Sequence, residues 1–350
     1  MTLDQSTVSQ DARPIVGAGH TALSVVIPCF NEEEGLGELL DRTRAAAAAR
    51  FPERFEIILI DDGSTDNSWE RMRAAARADA RIRLIRLSRN HGHQLALTAG
   101  LSIASGDLVF VIDADLQDPP ELLAAMVDRM QADQADVVFG VRRQREGETY
   151  FKKFSASLFY RLLSRHSEID LPLDAGDFRL MTARVARALC AMPEQERFIR
   201  GMVSWLGLKQ VPFEYDREPR FAGQTKYPLK KMLRLAGDAF MGFSMIPLRF
   251  AAQFAGLMFA ILLGVTGYAL FSWIAFDTVS GWTSLMVLVA FTSAVQFLLL
   301  AVIGEYIGRT YLGQKRRPLF VVDEVVGVDP VHVDRVRQAR SGLSDGGLWL

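Results

Sequence analysis

The sequence predicts an α/β fold: a mostly parallel sheet, followed toward the C-terminal end by two apolar helices. Three observations predict it. Between Leu23 and Val141 short apolar runs alternate with longer segments of helical period. Acidic and amide residues stand directly after the first, second and fourth of those runs. Phe250 to Phe276 and Thr278 to Gly304 carry no charge, with Asp277 alone between them.

The totals set bounds on the rest. The chain has 350 residues, enough for about two structural units. Forty Lys and Arg against 41 Asp and Glu leave a net charge of −1, which excludes a whole-chain electrostatic case for nucleic acid as partner. Cys29 and Cys190 are the only cysteines, too few for a disulfide framework and not in metal-type spacing. A mean hydropathy of +0.12 with 23% charged residues requires the apolar residues to be concentrated in one region.

Taken in order, residues 1–22 are polar, hold no apolar signal-peptide core, and are expected to be disordered. Leu23 to Phe30, Phe55 to Ile60, Ile82 to Leu87 and Leu108 to Ile112 read as strands, with Val137 to Val141 as a fifth. Glu33 to Arg50 and Asp66 to Ala78 read as helices, the second capped by Ser64 or Asp66. Pro119 and Pro120 suit the first turn of the helix after the fourth strand. In such a βαβ series ligands bind beyond the carboxyl ends of the strands, and the polar residues collect there: Asn31 and Glu32, Asp61 to Ser64, and Asp113 to Gln117.

A G-x-G-x-x-G fingerprint and a Walker lysine loop are both missing after the first strand, which disfavours nicotinamide and P-loop chemistry. Phosphate would then be held through a cation. Asp113, Asp115 and the amide of Gln117 are hard oxygen donors of the kind that Mg²⁺ or Mn²⁺ accepts. His91 and His93 lack a third ligand for zinc, and Asn90 to Gly92 is expected to shape a turn.

Residues 142–165 carry seven Arg and Lys against two Glu, and Phe151, Phe154, Leu158 and Leu162 give that stretch an apolar face. A second basic piece, Arg217 to Arg234, leads into the first apolar helix. Both suit a membrane surface beside a phosphate headgroup, with Arg142, Lys153, Ser157, Arg220 and Lys226 as phosphate contacts. Gly223 is a candidate hinge. Each uncharged run exceeds the roughly 20 residues that cross a bilayer. Lys230, Lys231, Arg234 and Arg249 before the pair, and Arg309, Lys315, Arg316 and Arg317 after it, place both long ends in the cytosol, with Trp273 and Trp282 at the outer interface. The expected divisions are 1–22, a catalytic domain 23–228, an interfacial helix 229–248, the membrane pair 249–308 and a cytosolic tail 309–350, in which VVDEVVGV can add an edge strand.

SVVIPCFNEEEGL at 24–36, ILIDDGSTDNS at 58–68 and GDLVFVIDADLQDPPEL at 106–122 resemble family 2 glycosyltransferases of the GT-A, Rossmann-like fold. GDFRLM at 176–181, RFAGQTKY at 220–227 and GEYIGRTY at 304–311 are similar to polyprenyl-phosphate glycosyltransferases with two C-terminal helices, the group of bactoprenol glucosyltransferases and dolichol-phosphate mannosyltransferase. The resemblance implies a nucleotide-sugar site at Pro28, Phe30, Asn31, Glu32, Ile60, Asp62, Asp113, Ala114 and Asp115, with metal on Asp113, Asp115 and Gln117. It implies a UDP or GDP sugar as donor, best read as glucose, and a polyprenyl phosphate at the inner membrane as acceptor, with inversion; a second copy of the chain as partner is left open. A lipid phosphate is already anionic at neutral pH, so no strong base is needed; Asp115, Arg142 and Asp177 are the catalytic candidates, Asp177 as base or sugar-orienting group with an ion pair to Arg179 or Arg184 as its structural alternative. GDP-mannose is the alternative donor, and a non-catalytic nucleotide-sugar-binding membrane scaffold the alternative of another class. A processive synthase is disfavoured, since Gln195 to Ile199 departs from Q-x-x-R-W.

Overall fold

In the computed structural model the described residues are 20–142, 175–195, 197–216, 281–315 and 317–328, with scattered positions between 253 and 271. The chain opens with β1 (Leu23–Cys29), α1 (Leu36–Arg50), β2 (Phe55–Asp61), α2 (Ser68–Ala78), β3 (Ile82–Leu87), α3 (His93–Ile103) and β4 (Leu108–Val111). A short 3₁₀ turn at Pro120–Leu122 leads into α4 (Leu123–Asp133), then β5 (Val137–Arg142). Beyond these come β6 (Ala175–Thr182), α5 (Ala183–Ala191), α6 (Ile199–Trp205), β7 (Gln210–Tyr215), α7 (Trp282–Gln314) and β8 (Val322–Val326).

One eight-stranded sheet runs β7-β5-β6-β4-β1-β2-β3-β8. β6 lies antiparallel between β4 and β5, β8 is antiparallel on the edge beside β3, and the other pairings are parallel. The central strands are buried on both faces, which explains why β1 and β2 read as unbroken apolar runs rather than alternating ones. Their side chains still divide by parity. Leu23, Val25 and Ile27 join Ile57 and Leu59 against α1, α2 and α4, whereas Val26, Ile58 and Ile60 join α3, α5 and α6 on the opposite face. The result is three layers, helix on sheet on helix. Gly100 lets α3 lie close to the sheet: a Cβ there would stand 2.4 Å from Val26 Cγ1 and 2.5 Å from Ile60 Cδ1.

Order around β1 decides where a ligand can enter. The chain steps outward from β1 to β2 to β3, then returns to place β4 on the other side of β1. The strand order reverses at β1, and α3, which makes that return, packs on the face opposite α1, α2 and α4. Open α/β sheets bind ligands in the crevice beside such a switch point, beyond the carboxyl ends of the strands.

β8 was expected as an edge strand within the tail, and it pairs there with β3, Ser88 N donating to Val321 O at 2.9 Å and Phe320 being buried. The described residues include one helical stretch long and apolar enough to cross a bilayer, Phe291–Gly308 of α7, none of it buried. Two had been expected; most of the first apolar run lies outside the described residues. α7 also passes through Gly304 without a break and continues to Gln314.

Candidate active site

The first strand end is shaped by a loop-to-loop lock. Asn31 adopts a left-handed φ of 54°. Its backbone N–H donates to Ser64 Oγ at 3.0 Å, and its Oδ1 accepts from Thr65 N at 2.8 Å. Glu32 N donates to Ser68 Oγ at 2.8 Å. The loop after β1 is thus fixed to the loop after β2, with Phe30, Asn31 and Glu32 half-buried at the crevice. Pro28 and Ile60 are paired neighbours in the β1–β2 ladder; both are buried, and the Ile60 side chain belongs to the apolar core.

Asp62 has a defined task of its own. Its Oδ1 accepts from His91 N at 2.7 Å and its Oδ2 from Gly92 N at 2.9 Å, so the carboxylate fixes the turn that starts α3. Burial raises its pKa, and those two backbone donors oppose the rise. Gly63, at φ 69°, is required beside it, because a Cβ there would stand 2.5 Å from the backbone of Arg89. Asp61 is wholly buried, 3.4 Å from Arg86 Nε, and accepts from Ser64 N at 3.0 Å.

The loop after β4 alternates in exposure. Asp113, Asp115 and Gln117 are half-buried, and Ala114, Leu116 and Asp118 between them are buried. Leu116, at φ 55°, makes the bend, and Gln117 N donates to Asp115 Oδ1 at 3.2 Å. Asp118, which sequence reasoning passed over, accepts from Tyr215 Oη at 2.5 Å and ties the loop to the end of β7. Burial raises the Tyr215 pKa, the Asp118 carboxylate adds to the rise, and Arg142 pulls the other way. Arg142 itself is the register partner of Tyr215 across β5 and β7, and its Nε is buried without a hydrogen-bond partner.

Asp177 is the centre of a cluster that the sequence did not reveal. It is 6% exposed on β6 and receives Arg200 Nε at 3.0 Å and Gln94 Nε2 at 3.0 Å. His93 Nε2 lies 3.3 Å away and Arg179 Nη2 3.6 Å. Burial works against the Asp177 charge, but Arg200, His93 and Arg179 outweigh it and hold the pKa well below the usual carboxylate range. Such a carboxylate is an anchor for cations and a poor proton acceptor; of the two roles expected for it, the ion pair fits this geometry. Burial likewise opposes charge on His93, and Asp113 and Asp177 overcome it to raise its pKa to about 9.

Asp113 is the exposed end of this cluster. Its Oδ1 is 3.6 Å from His93 Nε2, ion-pair spacing without an aligned hydrogen bond, and has no hydrogen-bond partner. Burial raises its pKa to about 6; His93 offsets that, while Asp177, Asp118 and Asp115 add to it. A buried carboxylate oxygen lacking a donor, with further acids beside it, suits a hard divalent cation. Among the described residues no group of three or more His, Cys, Asp or Glu could hold a metal alone, so the remaining ligands would be diphosphate and water oxygens. Lys153, Ser157, Arg220, Lys226 and Gly223 lie outside the described residues.

Residues 24–190 match the model of glycosyl transferase family 2. The chain belongs to that family and is a glycosyltransferase. It is 43% identical over 89% of its length to an uncharacterized glycosyltransferase, YkcC, of Bacillus subtilis, covering 96% of that protein. It is 36% identical to the prophage bactoprenol glucosyl transferase homolog of Escherichia coli over 87% of this chain and 99% of that one. A bactoprenol glucosyl transferase of Shigella phage SfV is also 36% identical, over 86% and 97% of the two chains. Among solved structures, glucosyl-3-phosphoglycerate synthase from Mycobacterium tuberculosis, in complex with Mn²⁺, UDP and phosphoglyceric acid, aligns with a TM-score of 0.45 at 20% identity, over 64% of this chain and 77% of that one.

Proposed function

We propose that this glycosyltransferase moves one sugar, glucose first, from a nucleoside-diphosphate donor to a polyprenyl phosphate at the inner face of the cytoplasmic membrane. The observation that carries the reading is the reach of the likeness to the bactoprenol glucosyl transferases. It extends far beyond the family domain at 24–190, to 87% of this chain and 99% of the Escherichia coli relative. An apolar helix suited to a bilayer lies in the remainder.

The chain's own residues have separable tasks in this reading. The locked loop Phe30 to Glu32 frames the nucleotide at the crevice. Asp113 and Asp115, with Gln117 beside them, would hold Mg²⁺ or Mn²⁺, which when bound neutralises charge on the departing nucleoside diphosphate. Arg142, at the end of β5, offers a guanidinium for the acceptor phosphate. That phosphate has a second pKa of about 6, so it attacks the anomeric carbon as an anion, and no side chain need remove its proton. Asp177 then serves by ordering its cations. One direct displacement inverts the anomeric centre.

The deciding experiment incubates the detergent-solubilised chain with radiolabelled UDP-glucose, GDP-mannose and related donors, each with undecaprenyl or dolichyl phosphate. Label in the lipid phase from a glucose donor is the expected result. Lipid label only from GDP-mannose would move the assignment to a mannosyltransferase, and label in no lipid product from any donor would overturn the acceptor.

A further inference from the structure

The β4–β6 ladder pairs Leu108 with Thr182 and ends with Val111 opposite Arg179. Continued two residues further, that antiparallel register brings Asp113 opposite Asp177. Like charges on facing positions of neighbouring strands repel. His93 is the group that meets both, with its Nε2 3.6 Å from Asp113 Oδ1 and 3.3 Å from Asp177 Oδ2. Among the described residues it is the only side chain paired with Asp113.

His93 is itself held on two sides. It is the first residue of α3, directly after the turn whose His91 and Gly92 amides are fixed by Asp62. Beyond it, Asp177 is immobilised by Arg200, and Gln94 bridges Asp177 to the backbone N–H of Ile199 at 2.9 Å. The wedge between the two carboxylates therefore has a rigid support running from the β2 loop to α6. A side chain placed only to fill space would not need ionic partners at both faces.

We propose that His93 is a positioning residue for Asp113, orienting that carboxylate toward the donor's diphosphate and its cation by bridging it to Asp177. The inference rests on the metal reading of Asp113 given above. Outer-sphere partners of this type tune metal affinity by about 10- to 100-fold. A histidine that merely supported the fold would change the melting temperature and leave cation affinity and donor KM untouched.

The test titrates Mn²⁺ into the solubilised full chain with UDP, reading free Mn²⁺ by electron paramagnetic resonance. His93→Gln is expected to weaken Mn²⁺ binding about tenfold and to raise donor KM more than it lowers kcat. His93→Lys, which restores a cation between the carboxylates, is expected to recover most of both. If the Gln variant does not fold, Asp177→Asn removes the clamp from the other side and should give the same weakening. Parent-like Mn²⁺ affinity in whichever variant is measured overturns the role of His93 alone. A parent chain that binds no Mn²⁺ with UDP overturns the metal reading and this inference together.

Discussion

Tyr215 Oη donates to Asp118 Oδ1 at 2.5 Å, so the last residue of β7 holds the loop that carries Asp113 and Asp115. Asp118 is 1% exposed, and removal of a donor from a buried carboxylate costs about 1–3 kcal/mol. Tyr215→Phe keeps the ring that packs 5.1 Å from the Phe178 centroid and deletes only the hydroxyl. It should melt several degrees below the parent and show a higher donor KM. A variant that melts with the parent would mean that the loop is held by other contacts.

Asp62 makes a second prediction, on local motion. Because its two oxygens receive the His91 and Gly92 amides, Asp62→Ala releases both donors in a half-buried turn. The expected loss is about 1–3 kcal/mol in stability. Hydrogen exchange should also quicken at residues 91–93 before it does so in β2. Exchange that quickens uniformly across the domain would instead mark Asp62 as a general stabilising group.

The parts of this fold that the sequence displays are those where one strand carries its own signal. β1, β2 and β4 are buried on both faces and read as apolar runs, and the acids after them mark the crevice without any knowledge of tertiary contacts. β6 could not be read that way. Its buried Asp177 and Arg179 look like loop residues until Arg200 and His93 are known to meet them. β7 does alternate, with Val211, Phe213 and Tyr215 turned to the core and Pro212 and Glu214 exposed, but a proline inside so short a run speaks against a strand when read from sequence. His93 was set aside as a metal ligand lacking a third partner. Its actual partners stand on β6 and on the loop after β4, and the Gln94–Asp177 bond beside it spans 83 residues of sequence. The place of Asp113 at the crevice, by contrast, was legible, because it follows directly from the end of an apolar strand.

Acid titration offers a check away from the crevice. Asp79 caps α2 and receives Arg81 Nε at 2.9 Å, with Arg44 Nε at 3.0 Å on its other oxygen. The hydrogen bond from Arg81 foremost holds its pKa at about 2, against a usual carboxylate value near 3.9. A lowered folded-state pKa stabilises above the unfolded value and is lost as pH falls through the folded one. The stability gap between the parent and Asp79→Asn should therefore be constant above about pH 5 and close between about pH 4 and 2. Chemical denaturation across that range measures it, and a gap that persists undiminished at pH 2 would refute the ionic origin.

Arg142 separates the two substrates. It sits at the end of β5 beside Tyr215, with a buried Nε that no group in the described residues accepts from. Arg142→Ala should raise KM for the lipid phosphate about tenfold, the cost of one charge-assisted contact. Donor affinity, titrated with nucleotide sugar alone, should stay near the parent value. Equal weakening of donor and acceptor would place this guanidinium on the diphosphate instead.

Asp115 tests the chemistry most directly, because other residues also hold its loop. It is half-buried, and Gln117 N donates to its Oδ1 at 3.2 Å. Leu116 at 1% exposure and Asp118 through Tyr215 keep the loop seated when Asp115 is truncated. Charge stabilisation of a leaving diphosphate by a bound cation amounts to several kcal/mol, so Asp115→Ala should lower transfer on the order of a hundredfold or more. Its residual rate should no longer respond to added Mg²⁺ or Mn²⁺, while circular dichroism and a cooperative melt should show that the variant is still folded. Retained turnover that still rises with divalent cation would remove Asp115 from the cation site and leave Asp113 to hold it with other ligands.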